Sequence, residues 1–344
     1  MKKLILLIGI VVFSSSVFGQ RILKANYWTS PRMSLAVVPA LAKCDLVIAD
    51  VDNWVNSRES LKLLKKLNPN LLLIVYTNIL EIFPKAGVNR PWQQAVVDEI
   101  YTKCTAWLLK TDKGNDAIFT QKMRMLNVST TCPKIKGQTY TDWYASKLTT
   151  GILRDSLVDG YFGDNGSGNW SWIYTGKGEQ IDANNDGKPN QDCLLDRDMS
   201  EGIHNFLRQI RQAMGKKFII LANKGSVEYM DVLNGRMFED WRNDYLGDNY
   251  DSGWWQCFLN GRKTGNYTII KIKSPKDLEF AYLSAKLLDH DVYIAIGQDY
   301  SNPYPEFPDD LGKLQKIEVK AYFEKGSIEI NPSKSQAKIS EKKP

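Results

Sequence analysis

Two carboxylates that close short apolar runs are the residues of this chain most suited to chemistry. Asp164 ends Asp159-Gly160-Tyr161-Phe162-Gly163-Asp164 and is followed by Asn165 and a Gly-rich stretch with Trp170 and Trp172. Glu239 ends Met237-Phe238-Glu239 and is followed by Asp240 and Trp241. Glycoside hydrolysis needs such a pair, one carboxyl to protonate the leaving oxygen and one to attack or stabilise the anomeric carbon. An isolated Asp-Gly is ordinary turn punctuation, so the assignment depends on partners. Asp159, at the start of its run, reads as structural. Sugar hydroxyls bind amides and carboxylates, and sugar C–H faces stack on aromatic rings. The candidate contacts are Trp28, Asp52, Trp54, Tyr76, Asn78, Lys110, Asn165, Trp170, Trp172, Asn223, Asp240, Trp241, Gln298 and Tyr300, with Trp254 and Trp255 as further aromatic faces.

These residues can meet only if the extended segments bring their carboxyl ends to one rim. Eight such segments are legible: Ile22 to Tyr27, Leu46 to Val51, Leu71 to Thr77, Val158 to Gly163, Phe218 to Ala222, Arg236 to Glu239, Tyr267 to Lys273 and Val292 to Gly297. Helical patterns lie between them, at Arg58 to Leu67, Trp92 to Cys104, Thr141 to Leu153, Ser200 to Met214 and Pro275 to Leu288. Alternation of strand and helix predicts an α/β fold, a (β/α)8 TIM barrel with decorated loops, whose active site lies at the carboxyl ends of the strands. A ninth extended piece, Ala106 to Lys110, is assigned to an excursion from Cys104 to Tyr140. The expected organisation is a leader over 1–19, the barrel over 20–305, a β extension over 306–332 that includes a hairpin packed on the barrel, and a basic disordered tail over 333–344.

Composition excludes several chemistries. Two histidines, His204 in a helical pattern and His290 before a strand, leave no serine–histidine triad and no multi-histidine metal site. Five cysteines stand far apart without CxxC spacing, so redox and zinc motifs are absent, while one or two disulfides are compatible with export. The formal charge of +6 includes Lys2 and Lys3 and four lysines of the last twelve residues, which leaves the body nearly neutral and without an electrostatic footprint for nucleic acid. Lys2, Lys3, the apolar run to Phe13 and the small residues to Gly19 read as a secretory leader cleaved before Gln20. The expected location is therefore periplasmic or secreted, with no membrane span. Oligomeric state is open.

One more motif stands apart. Asp182, Asn184 and Asp186, followed by Gly187, place oxygen ligands at the first, third and fifth positions of a loop, with Asn190 and Asp192 further on. This resembles a calcium loop, although Cys193 stands where such loops carry glutamate. No cofactor is required, and structural calcium and an Asx-rich turn remain alternatives.

The segments Asp159 to Asn165, Leu221-Ala222-Asn223-Lys224-Gly225, Met237 to Trp241, Trp107 to Gly114 and Tyr322 to Pro332 resemble the glycoside-hydrolase-like 15 group, a relative of the barrel-fold endo-polygalactosaminidases. The resemblance implies a (β/α)8 hydrolase of extracellular polysaccharide. It implies Asp164 as nucleophile on the fourth strand, Glu239 as general acid/base on the sixth, and retention of configuration. Gly163 departs from a bulkier apolar residue in such motifs, and would open space or bend the strand. On environment, an Asp beside amides and solvent is expected to stay ionised, and a Glu packed on Phe238 and Trp241 to hold a proton. The alternatives are a catalytically inactive carbohydrate-binding barrel and a sugar lyase with Lys110 or Tyr76 as base.

Overall fold

Eight parallel strands close on themselves, and their alternation decides which side chains face the axis. In chain order they are β1 (Ile22–Trp28), β2 (Leu46–Asp50), β3 (Leu72–Asn78), β4 (Gly160–Asp164), β5 (Ile219–Ala222), β6 (Gly235–Phe238), β7 (Thr268–Ile272) and β8 (Val292–Ile296). Each pairs with the next, and β8 returns to β1 from Ile22↔Val292 to Asn26↔Ile296. They are the eight expected segments, displaced only at their end residues. The computed structural model describes residues 20–120, 123–174, 176–239, 241, 253–272, 277–288 and 290–296, and the backbone of 314–316, 320–323, 326–331 and 336–341. Residues 1–19, which hold the expected leader, lie outside the described residues.

Successive side chains of a strand point to opposite faces. One parity (Ala25 and Tyr27, Leu46 and Ile48, Ile74, Phe162, Leu221, Met237, Ile269, Ala295) meets around the barrel axis as one buried cluster. The other parity (Val47 and Ala49, Leu73 and Val75, Tyr161, Ile220 and Ala222) packs outward against the helices. The helices of eight or more residues are α1 (Arg58–Leu67), α2 (Pro91–Lys103), α3 (Tyr140–Thr150), α4 (Asp192–Met214), α5 (Gly253–Gly261) and α6 (Leu278–Ala285). Thr139 and Asp142 close a capping box that starts α3.

Helix α4 begins eight residues before the expected Ser200. Leu195 and Met199 extend the buried stripe of Ile203, Phe206, Leu207 and Ile210 at helical spacing, hidden in the sequence among Asp192, Asp196 and Asp198. Ala106 to Lys110 lies in the excursion as expected: Thr105–Trp107 is a short 3-10 turn, and Lys110–Thr111 pairs with Ile181–Asp182. None of the five cysteines is joined in a disulfide, so the bridges compatible with the sequence are not formed.

Beyond the barrel, β9 (Leu314–Lys316), β10 (Lys320–Phe323), β11 (Gly326–Asn331) and β12 (Gln336–Glu341) form an antiparallel sheet in that order. The expected hairpin is the β10–β11 pair. The stretch expected as a disordered basic tail instead contains β12, in register with β11 from Gly326↔Glu341 to Asn331↔Gln336. Alternation of Ala337 and Ile339 with exposed Lys338 and Ser340 is the strand signal that the lysine content obscured. Among the described residues, no helix is long and apolar enough to cross a membrane.

Candidate active site

The parity that fills the barrel interior turns polar at its carboxyl end. Ile48 is followed two residues on by Asp50, Ile74 by Tyr76 and then Asn78, Phe162 by Asp164, Leu221 by Asn223, Met237 by Glu239 and Ile269 by Lys271. Of these, Asp50, Tyr76, Asn78, Asp164, Asn223 and Glu239, with Asn165, line one cavity of about 540 Å³. Register places Asp164 beside Asn78 and Tyr76 beside Asp50. The structure thus brings the two expected catalytic carboxylates and four of the expected contacts (Tyr76, Asn78, Asn165 and Asn223) to one wall.

Asp164 is held by three donors. Its Oδ2 accepts the Tyr76 hydroxyl at 2.6 Å, and its Oδ1 accepts Asn223 Nδ2 and the Asn165 amide, each at 2.8 Å. Burial nevertheless pushes its pKa above the ordinary carboxylate value. The donations from Tyr76 and Asn223 oppose the shift, and the charge of Glu239 adds to it. Glu239 is in a different setting: Lys271 Nζ lies 2.6 Å from its Oε1, and its side chain is 40% exposed. Lys271 Nζ also sits 4.6 Å above the Tyr27 ring. The expected environments are therefore exchanged. Asp164 is the carboxyl raised by burial, and Glu239 is open and ion-paired, because Phe238 and Trp241 pack on each other, with ring centroids 5.1 Å apart.

Local backbone geometry fixes these positions. Asn165 and Lys224, the residues after Asp164 and Asn223, take left-handed φ of 55° and 71°. Asn165 Nδ2 donates to Asn78 Oδ1 and Glu81 Oε2 at 3.3 Å each. Gly163 neither opens space nor is free to be larger, since a Cβ there would lie 2.5 Å from Ile79 Cδ1. Buried Arg236 on β6 ties the two loops together: its Nη1 donates to the carbonyls of Gly166 at 3.0 Å and Asn223 at 2.8 Å, and its Nη2 to that of Glu228 at 2.6 Å.

Most of the expected aromatic rim is core. Trp28, Trp54, Trp170 and Trp241 are buried. The indole N–H groups of Trp28, Trp170 and Trp241 bond to Arg32 O, Ser167 O and Ser284 Oγ. The Trp241 contact joins residues far apart in the chain, which sequence spacing does not reveal. Trp172 alone of the expected tryptophans in the described region is exposed, at 55%, edge-on to Phe119 of the cavity wall at 5.8 Å.

Two polar candidates also leave the expected set. Asp52 is fully buried and accepts the amide of Trp92 at 2.7 Å, so it caps α2. Lys110 pairs with Asp116 at 2.5 Å and is not part of the cavity wall. Asp159 has the structural role expected of it, accepting Lys65 Nζ and the Leu73 amide at 2.5 and 2.7 Å. Asp240, Gln298 and Tyr300 lie outside the described residues, as do the side chains of Trp254 and Trp255.

In the Asp182 loop, both Asp182 oxygens accept the loop's own amides, from Asp186 at 3.1 Å and Gly187 at 2.8 Å. Asn190 Oδ1 accepts the Ala183 amide, and Asn184 Nδ2 bonds to Asp186 Oδ2. Asp192 is the first residue of α4 and exposed. Among the described residues no group of three or more His, Cys, Asp or Glu could hold a metal ion.

Several cavity residues escaped the sequence reading, namely Glu81, Arg90, Trp92, Gln93, Phe119 and Thr120, together with Lys271 behind Glu239. Lys271 was reachable, since it follows Ile269 in the parity by which Glu239 follows Met237. Glu81 sits on a two-residue strand and the others on loops and a helix start, too short or irregular for periodicity to mark direction.

Residues 65–313 match the family described as Hypothetical glycosyl hydrolase family 15. No curated protein matches the sequence. Among solved structures, a noncanonic maltogenic alpha-amylase AmyB from Thermotoga neapolitana is 10% identical, with a TM-score of 0.46 over 79% of this chain and 67% of that one. A cycloalternan-degrading enzyme from Trueperella pyogenes is 11% identical, with a TM-score of 0.44 over 83% of this chain. The matched part is 43% of that enzyme, so the chain spans less than half of its length. Xylanase B from Clostridium stercorarium F9 is 10% identical, with a TM-score of 0.37 over 80% of this chain and 86% of that one. Similarity at this level says nothing about chemistry.

Proposed function

This chain belongs to the family described as Hypothetical glycosyl hydrolase family 15, and we propose that within it the protein is a retaining glycoside hydrolase of an extracellular polysaccharide. The observation that carries this reading is the pair Asp164 and Glu239, from β4 and β6, in the wall of one cavity rich in amide and hydroxyl donors. In this reading Asp164 is the nucleophile. Its three donors hold both oxygens in place and leave the carboxylate no freedom to turn away from an anomeric carbon. Glu239 is the general acid/base. Lys271 on Oε1 leaves Oε2 to give its proton to the leaving-group oxygen in the first step and stabilises the carboxylate formed, and because solvent reaches Glu239 that carboxylate can take a proton from the attacking water in the second.

A second reading reverses the roles, and one observation favours it: Asp164 is the carboxyl that burial pushes toward holding a proton, while Glu239 carries the ion pair. A 2-deoxy-2-fluoro glycoside of the substrate sugar separates the two, since the labelled peptide contains Asp164 in the first case and Glu239 in the second.

The substrate is sought with a polysaccharide panel, assayed with wild type, Asp164→Asn and Glu239→Gln. Each variant is expected to lose about 10²–10⁴-fold in rate on the active polysaccharide. Unchanged activity in both would overturn the reading. Carbohydrate binding with no hydrolysis of any polymer would instead establish the inactive binding barrel. Calcium at the Asp182 loop remains a proposal, tested by calorimetric titration with calcium chloride.

A further inference from the structure

Two buried carboxylates beside the cavity serve something other than the Asp164–Glu239 pair. Asp50, the inward residue that ends β2, accepts Arg90 Nη1 at 2.8 Å and Gln93 Nε2 at 3.2 Å. Asp52 accepts the amides of Trp92 at 2.7 Å and Gln93 at 3.4 Å, a capping role across forty residues that Arg90, at the N-cap position itself, does not supply. Burying two carboxylates this close is costly. Burial pushes both upward in pKa, Asp52 to about 6 with the charge of Asp50 contributing. A helix start needs no such expense, since one exposed Ser or Asp beside it suffices. What the arrangement achieves is a fixed position for Arg90, Trp92 and Gln93, all half-buried in the wall of the cavity that Asp164 and Glu239 face. A local rule broken at cost beside a cavity points to function.

We propose that Arg90, Trp92 and Gln93 form a sugar subsite next to the bond-breaking position, and that the ring bound there is a neutral pyranose. The inference rests on the hydrolase reading only in taking the ligand as a sugar. Trp92 offers a flat apolar face. The bond to Asp50 uses one of the five N–H donors of the Arg90 guanidinium, and with the Gln93 amide the wall presents donors and acceptors together, as vicinal hydroxyls require. Asp50, Glu81, Asp164 and Glu239 line the cavity against Arg90 and, behind Glu239, Lys271, so carboxylates outnumber cations and a uronate or sulfated ring would meet an excess of like charge.

The test is affinity electrophoresis of the Asp164→Asn protein, which leaves the probe intact, in gels containing β-glucan, galactomannan, xylan or polygalacturonate. Retardation is expected in at least one neutral polymer and not in polygalacturonate. In that background Trp92→Ala and Arg90→Met are each expected to weaken retention at least tenfold, and Trp92→Phe to keep most of it, with melting temperatures confirming that all are folded. Retention unchanged by Trp92→Ala and Arg90→Met, preference for polygalacturonate, or no retention in any gel would each overturn the subsite. The carboxylate pair is judged separately, by the hydrolysis assays of Asp164→Asn and Glu239→Gln, so the two can fail independently.

Discussion

Asp164 combines two opposing influences that a pH profile can separate. Burial raises its pKa, and the Tyr76 hydroxyl at 2.6 Å lowers it. A nucleophile must be ionised, so activity is expected to fall as pH drops through a value above the ordinary carboxylate range. Tyr76→Phe removes a hydrogen bond to a charged group, which contributes about 1.5–3 kcal/mol. The acid limb of kcat/KM should therefore move to still higher pH, and the plateau rate should fall roughly tenfold or more. An acid limb that stays in place would show that Asp164 does not govern it. Asp52 supplies a stability counterpart. Its folded pKa of about 6 lies above the ~3.9 of an unfolded Asp, so the folded state holds the extra proton between these values. Stability from this group therefore rises as pH falls from above 6 toward 4, and the full penalty applies above pH 6. Asp52→Asn keeps an oxygen for the Trp92 amide and removes the charge. It is expected to be more stable than wild type by about 1–3 kcal/mol at pH 8, with the gain gone near pH 4, as read from urea unfolding at the two pH values.

At the scale of elements, the strand ends were legible and the loops that lock them were not. Period-two alternation carries Phe162 to Asp164 and Met237 to Glu239 on local grounds alone. The locking residue is Arg236, whose parity on β6 is opposite to that of Met237 and whose guanidinium therefore leaves the barrel interior to reach the carbonyls of Gly166, Asn223 and Glu228. Burial pushes its pKa down to about 10, against the opposing charge of Glu228. Arg236→Met would leave those carbonyls without their donor. The expected cost is about 3–5 kcal/mol in urea unfolding, together with a loss of activity beyond what the stability change explains, because the loops carrying Asn165 and Asn223 lose their common tie. Wild-type stability in this variant would show that the loops hold themselves.

For the whole molecule, the strand ends are covered by segments remote in the chain, and that covering decides the fate of the tryptophans. Trp241 lies against Ser284 of α6, and Trp170 packs edge-on to Phe119 of the excursion with ring centroids 5.2 Å apart. Both partners are remote in sequence. On the amino-terminal side, Gln20 Nε2 donates to Ala285 O at 2.6 Å, and β1 runs from Ile22. Export with cleavage before Gln20 is expected to give a mature chain whose amino-terminal sequencing reads Gln20-Arg21-Ile22 in the secreted or periplasmic fraction. An intact Met1 in the folded protein would remove the export proposal.

What the sequence determined by itself is whatever depends on neighbours along the chain. The eight strands, most of the helices, and the inward direction of Asp164, Asn223 and Glu239 follow from a repeat of two or of 3.6 residues, which is a property of local backbone geometry. Tertiary structure alone decided the rest. Whether a tryptophan meets a sugar or a helix, whether Glu239 is alone or beside Lys271, and whether Asp50 faces water or Arg90 all depend on which distant segments close over the strand ends. Burial and charge are sums over neighbours in space, and for Asp50 and Arg90, or Glu239 and Lys271, those neighbours are tens of residues away in the chain.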